Sequence, residues 1–241
     1  MTDAPSRAEA NRRTYDDARL AAIYDVDNPA GEDHAFFRRV ADEVSAARAS
    51  TRIVDLGCGT GILTVTLAGP GRDVVGIDPA EAMLRVARAR PGGDRVEWRR
   101  GTAELIEPAS ADLVIMSGNV AMHLIGQDWH DALQRIAAGL APGGRLLFET
   151  RNPVRRAWED WQQEPTERTT AAGRPTRVRG HEHAGRGRRR RAPMAHRVLG
   201  RGRGPRLERL ARPPIRRGGA PVDDHRGLST GGLTRPPVMA G

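Results

Sequence analysis

Three glycines at alternate positions, Gly57, Gly59 and Gly61, follow the apolar run Arg52-Ile53-Val54-Asp55-Leu56, and the acid Asp55 stands two residues ahead of the first. Glycine tolerates positive φ and lets a ligand approach the backbone with no Cβ in the way. Where a strand feeds such a loop and a helix leaves it, free N–H groups at the helix start face the same ligand. The chemistry this suits is the holding of a small molecule by main-chain groups. A dinucleotide loop of the form G-x-G-x-x-G, counted from Gly57 and Gly59, needs glycine at position 62, which is Ile62. The third glycine arrives one residue early, and this speaks against a nicotinamide-dependent oxidoreductase. A second carboxylate, Asp78, closes Val74-Val75-Gly76-Ile77-Asp78, 17 residues beyond Gly61.

The surrounding pattern supplies the elements that would position these groups. Residues 1–31 are polar with a few apolar anchors and end in the breaker Asn28-Pro29-Ala30-Gly31. Phe36, Phe37, Val40 and Val44 recur at helical spacing and predict an amphipathic helix over 32–48. Residues 52–56 then read as a buried parallel strand. A strict alternation follows: a helix over 62–68, a strand over 73–77, and a helix over 80–89 with Pro79 at its first position and Met83, Leu84 and Ala87 on one face. Strands are expected over 95–99, where Val96 and Trp98 alternate with charges, and over 112–116. Asp128 opens a helix with the stripe Trp129, Leu133, Ile136 and Leu140, and a turn at 141–144 leads to a strand over 145–149. Strand–helix alternation of this kind implies crossover units, so the expected fold is α/β: a Rossmann-like, doubly wound, mostly parallel sheet.

Val54-Asp55-Leu56-Gly57-Cys58-Gly59-Thr60-Gly61 resembles the first motif of class I S-adenosylmethionine-dependent methyltransferases. The resemblance implies S-adenosylmethionine as cofactor, with Asp55 and the backbone of Gly57, Gly59 and Gly61 around its methionine portion and Asp78 accepting both ribose hydroxyls. Gly101-Thr102-Ala103-Glu104 falls where the family's adenine-contacting turn lies, which implies cofactor roles for Ala103 and Glu104. The stretch from Asp112 to His123 matches the fourth strand and the loop lining the methyl-transfer face, Ser117 included. Leu140-Ala-Pro-Gly-Gly-Arg-Leu-Leu-Phe resembles the turn into the family's fifth strand. These checkpoints occur in order across about 100 residues. The implied enzyme transfers a methyl group, and a small-molecule acceptor is expected.

Three residues are candidates for the acceptor side. His123 reads either as a base or substrate ligand, or as a helix-start histidine bonded to a carbonyl. Asn119 reads as a loop-shaping residue or a substrate contact, and Arg151 as a clamp for an anionic substrate or a solvated cation. The Asn-Pro-Pro-aromatic signature for amide or exocyclic amino nitrogens is absent, because the sequence runs Ser117-Gly118-Asn119-Val120. Cys58 reads as packing, and no catalytic residue and no metal site is assigned. Tyr15, Tyr24 and His34 lie in a region that folds over the cofactor as a lid in many relatives. Trp158 and Trp161 read as helix packing.

Composition divides the chain. All 39 basic residues are Arg; residues 1–173 hold 21 of them against 26 acids, a net of −5, while residues 174–241 hold 18 against 4, a net of +14. The nine aromatic residues all precede Gly173. One cysteine excludes an internal disulfide, and no apolar run exceeds five residues, so a cytoplasmic protein with no membrane partner is expected. The organisation expected is a lid segment over 1–31, a truncated methyltransferase domain over 32–173 and an Arg/Gly/Pro-rich tail over 174–241. That tail is expected to be disordered and to leave the sheet without its last strands. A shifted reading frame in a G/C-rich gene would explain it; an authentic tail would instead bind RNA through phosphate contacts.

Overall fold

The computed structural model describes residues 14–151 and, beyond them, the backbone of four strands. The chain divides into two compact units, residues 1–210 and 211–241, and every described residue lies in the first. Helices α1 (Ala18–Asp27) and α2 (Glu32–Ala46) precede strand β1 (Thr51–Leu56). There follow α3 (Thr64–Leu67), β2 (Arg72–Asp78), α4 (Glu81–Ala89), β3 (Glu97–Arg100), β4 (Ala111–Met116), α5 (Gln127–Gly139) and β5 (Leu140–Thr150). The sheet runs β3-β2-β1-β4-β5, all parallel, as the alternation of strands and helices requires.

Period-two alternation sorts the strand residues onto two cores. Ile53, Leu113, Ile115 and Leu147 pack with Phe37, Val40, Ala41 and Val44 of α2. Their neighbours Val54, Val114, Met116, Leu146 and Phe148 pack with Ala132 and Ile136 of α5 on the opposite face. Burial on both faces is why these strands read as continuous apolar runs. A third cluster, of Ala21, Ala80, Ala82 and Met83 with Tyr15, Tyr24 and Val86 against it, joins α1 to α4.

Four boundaries depart from the sequence reading. Residues 62–68 give only one helical turn, Thr64–Leu67, because the backbone is still turning at Gly61, whose N–H donates to the Cys58 carbonyl. Helix α4 is capped at Ala80, which puts Pro79 just outside it. Residues 93–95 form a 3₁₀ turn, so β3 starts at Glu97. The turn expected at 141–144 lies within β5 as a bulge: Ala111 pairs with Leu140, but Leu113 already pairs with Arg145. Helix α1 is an addition, since the stretch that contains it had shown anchors but no period.

Four strands follow in the C-terminal part of the chain. Strands β8 (Ala195–Gly202) and β9 (Gly204–Arg209) form an antiparallel hairpin that extends the sheet beyond β5, with Arg145–Thr150 paired to residues 195–200. A separate hairpin joins β6 (Thr166–Thr169) to β7 (Pro175–Val178). The backbone of β8 and β9 thus stands beside β5, where the sequence reading expects no further strands. The physical reason is that a ladder is built from main-chain N–H and C=O groups, which Arg and Gly carry like any other residue, and an unpaired strand edge recruits them. Composition and periodicity register side chains only. Trp158 and Trp161 lie outside the described residues.

Candidate functional site

Strand order reverses between β1 and β4, and the crevice beyond the carboxyl ends of strands at such a reversal is where open α/β sheets bind ligands. The glycine loop leaves β1 there, Asp78 ends β2, Gly101–Leu105 follows β3, residues 117–123 follow β4, and Glu149–Arg151 ends β5. The loops after β1 and β4 touch: a Cβ built on Gly57 would sit 2.4 Å from Cγ2 of Val120.

Asp55 shares the face of Ile53, beneath α3. It is fully buried, and Thr64 Oγ1 donates to its Oδ2 at 2.7 Å while Oδ1 has no hydrogen-bond partner. Burial raises its pKa from 3.8 to about 7; the Thr64 hydroxyl opposes the shift and the charge of Asp78 adds to it. The folded protein thus keeps a proton that the unfolded chain loses above pH 4. Stability from this group is full below that pH and is lost as pH rises through 7. Asp55→Asn is therefore expected to gain stability over the parent as pH rises from 5 to 8, by up to about 1.4 kcal/mol per unit. Urea unfolding at both pH values tests this; an unchanged gap would show that Asp55 does not titrate there.

All three loop glycines have positive φ, +74° at Gly57, +54° at Gly59 and +72° at Gly61, but for different reasons. A Cβ on Gly61 would lie 2.5 Å from Cη2 of Trp98 and 3.0 Å from Cβ of Ala87. The Trp98 indole, held by Nε1–H donating to the Gly93 carbonyl at 2.8 Å, also lies across Gly76. Gly61 is thus a packing requirement. Gly61→Ala should cost about 2–4 kcal/mol in left-handed strain and overpacking, seen as a lowered melting temperature; an unchanged value would show that Trp98 moves aside freely. A Cβ on Gly59 meets nothing within 4 Å. Packing leaves room for a side chain there, and only the left-handed backbone disfavours one.

Asp78 is 7% exposed and tied to the loop. Its Oδ2 accepts from Gly59 N–H at 2.9 Å and its Oδ1 from Ala80 N–H at 2.8 Å. Its carbonyl accepts from Gly101 N–H at 3.1 Å, which joins the exits of β2 and β3. Burial raises its pKa; the two amide bonds pull it back and Asp16 pushes it further up. An ionised carboxylate has about four acceptor positions, so two remain beside those the loop occupies.

The acceptor-side candidates fall into two groups. Asn119, in the left-handed conformation with φ +68°, donates its N–H to Oε1 of the fully buried Glu149 at 2.9 Å and accepts from Arg151 Nε at 3.3 Å. Arg151 is thereby drawn onto the loop after β4. His123 caps the 3₁₀ turn Val120–Met122, and its ring meets Tyr15 edge-on, with centroids 5.5 Å apart. Ser117 and Ala103 are buried and Glu104 is exposed. Burial, with Asp78 and Asp55 nearby, raises the Cys58 pKa, so its thiol stays protonated, as its packing role requires.

Sequence reasoning missed Thr64, Trp98 and a triangle built on Thr60. Thr60 Oγ1 donates to Asp25 Oδ1 at 2.5 Å, Arg90 Nε donates to the Thr60 carbonyl at 3.0 Å, and Arg90 Nη2 pairs with Asp25 Oδ2. Asp16 Oδ1 accepts from Ala82 N–H at 2.9 Å and so ties the segment before α1 to the start of α4. Thr60 stood inside the motif and could have been found. Asp25 and Arg90 are 65 residues apart and carry no local signal.

Parallel sheet, switch point and left-handed glycine loop define a Rossmann-like nucleotide-cofactor fold. Residues 53–144 match the family model described as a methyltransferase domain. The ubiquinone biosynthesis O-methyltransferase of Azorhizobium caulinodans is 38% identical over 104 residues, covering 42% of this chain and 40% of that protein. The ubiquinone/menaquinone biosynthesis C-methyltransferase UbiE of Rubrivivax gelatinosus is 32% identical over 148 residues, covering 60% and 57%. The chain spans less than two thirds of the length of the curated relatives it matches. Among solved structures, the DhpI-SAM-HEP complex has a TM-score of 0.51 at 24% identity, covering 73% of this chain and 82% of that one. Residues 53–144 are a class I S-adenosylmethionine-dependent methyltransferase domain.

Proposed function

We propose that the protein is an S-adenosylmethionine-dependent methyltransferase acting on a small molecule. One observation carries the reading: Gly59, which packing leaves open, bonds through its amide to the Asp78 carboxylate, so an open backbone position and a buried acceptor stand side by side. Asp55 with its unpartnered Oδ1, the loop of Gly57, Gly59 and Gly61, and Asp78 with two spare acceptor positions are the groups that would hold the cofactor. Ala103, Glu104 and Ser117 would complete its surroundings. When bound, the cofactor supplies an activated methyl on a sulfonium, and the protein's own work is alignment and exclusion of water. On the acceptor side, Asn119 is locked by Glu149 and presents Arg151, while His123 stands ready to orient the acceptor or take its proton.

The relatives support a small organic acceptor methylated at oxygen or carbon, in line with their names. RNA, read from the Arg-rich tail, finds no support among them. No helix among the described residues is long and apolar enough to cross a membrane, and a single buried thiol suits the cytoplasmic setting we propose. Calorimetry on the full chain tests the reading: S-adenosylhomocysteine should bind and nicotinamide dinucleotides should not. The reverse result would overturn it.

A further inference from the structure

Thr60 sits in the centre of the glycine loop, 1% exposed, and both of its polar oxygens are held from outside the loop. Its hydroxyl is held by Asp25 of α1 and its carbonyl by Arg90 at the exit of α4, and these two pair with each other. The result is a closed triangle across three elements far apart in sequence. Asp25 and Arg90 keep 31% and 18% of their side-chain surface exposed, so the pair is partly shielded from solvent. On one side of Thr60 lies Gly59, whose amide bonds to Asp78; on the other lies Gly61, walled by Trp98. Thr60 is thus bonded directly to the residue whose N–H meets Asp78, and a displaced Thr60 would carry Gly59 with it.

We infer that Asp25 is a positioning residue for the cofactor site, holding the glycine loop in its binding shape through Thr60 and so coupling the docking of α1 to ligand binding. The inference rests on the cofactor reading above. Coupling is reciprocal: if docked α1 favours the binding shape, a bound ligand must favour docked α1. Tyr15 against His123 and Asp16 on the start of α4 fix the chain just before α1 at two further places, so the element held by Asp25 reaches both loops of the crevice.

The test uses the full chain, with S-adenosylhomocysteine as probe. In calorimetry, Asp25→Ala and Thr60→Val should each weaken binding by about tenfold or more, and the double variant should be no weaker than either single one. Thr60→Ser keeps the hydroxyl and should stay within about twofold of the parent. Hydrogen exchange gives a second reading: the probe should protect amides over 18–27 in the parent but not in Asp25→Ala. Without any probe, Asp25→Ala should speed exchange over 57–61. A merely structural Asp25 would lower thermal stability and leave the affinity where it was; parent-like binding by Asp25→Ala and Thr60→Val overturns the inference. Absence of binding by the parent overturns the cofactor reading instead, and unchanged exchange over 57–61 in Asp25→Ala then overturns the latch as well.

Discussion

Gly59→Val should abolish S-adenosylhomocysteine binding while the sheet stays folded. The three loop glycines look alike in sequence, but only Gly59 has open space where a side chain would go; Gly57 would strike Val120 and Gly61 would strike Trp98. The Cβ of a branched side chain at Gly59 therefore meets no part of the protein, and the side chain would take up space beside the loop where the ligand is expected to lie. It pays about 1–2 kcal/mol for left-handed backbone at φ +54°, a loss the domain can absorb. Gly71 separates strain from occlusion. It has φ +70°, precedes β2 at the opposite end of the sheet, and a Cβ there would lie 3.3 Å from the Ala49 carbonyl. Gly59→Ala and Gly71→Ala should lower the melting temperature by similar amounts, yet only the former should weaken the probe. A Gly59→Val chain that binds within a few-fold of the parent would show that the ligand lies elsewhere.

What could be read in advance follows from where the determinants sit. Asp55, the loop glycines and Asp78 lie within 24 residues, on two consecutive strands, and strand alternation fixes how they face. The apolar stripes of α2, α4 and α5 announced their buried faces for the same reason. The Asp25–Thr60–Arg90 triangle spans 66 residues and exists only because α1, whose own sequence has no strong period, packs on α4 through Ala21 against Ala82 and Met83. The β8–β9 hairpin was illegible on another ground: it extends a sheet whose edge is defined by β5, and its Arg- and Gly-rich sequence carries no alternation of its own. Positive φ at Asn119 was equally hidden, since its cause is the Glu149 carboxylate 30 residues further on.

Asp78→Ala should weaken the same probe at least tenfold. Hydrogen bonds to a charged acceptor are worth about 1.5–3 kcal/mol each, so losing two of them would cost two or more orders of magnitude in affinity, less whatever water restores. Asp78 has a second duty, however, because its oxygens also hold the amides of Gly59 and Ala80. Loss of affinity in Asp78→Ala alone does not divide the two roles. A probe carrying 2′-deoxyribose does. In the parent it should bind more weakly than S-adenosylhomocysteine, because one hydroxyl is missing opposite the Asp78 carboxyl group; in Asp78→Ala the two probes should bind alike. Were the variant to keep the parent's discrimination between them, Asp78 would be a brace for the glycine loop, and the ribose would be read by another group.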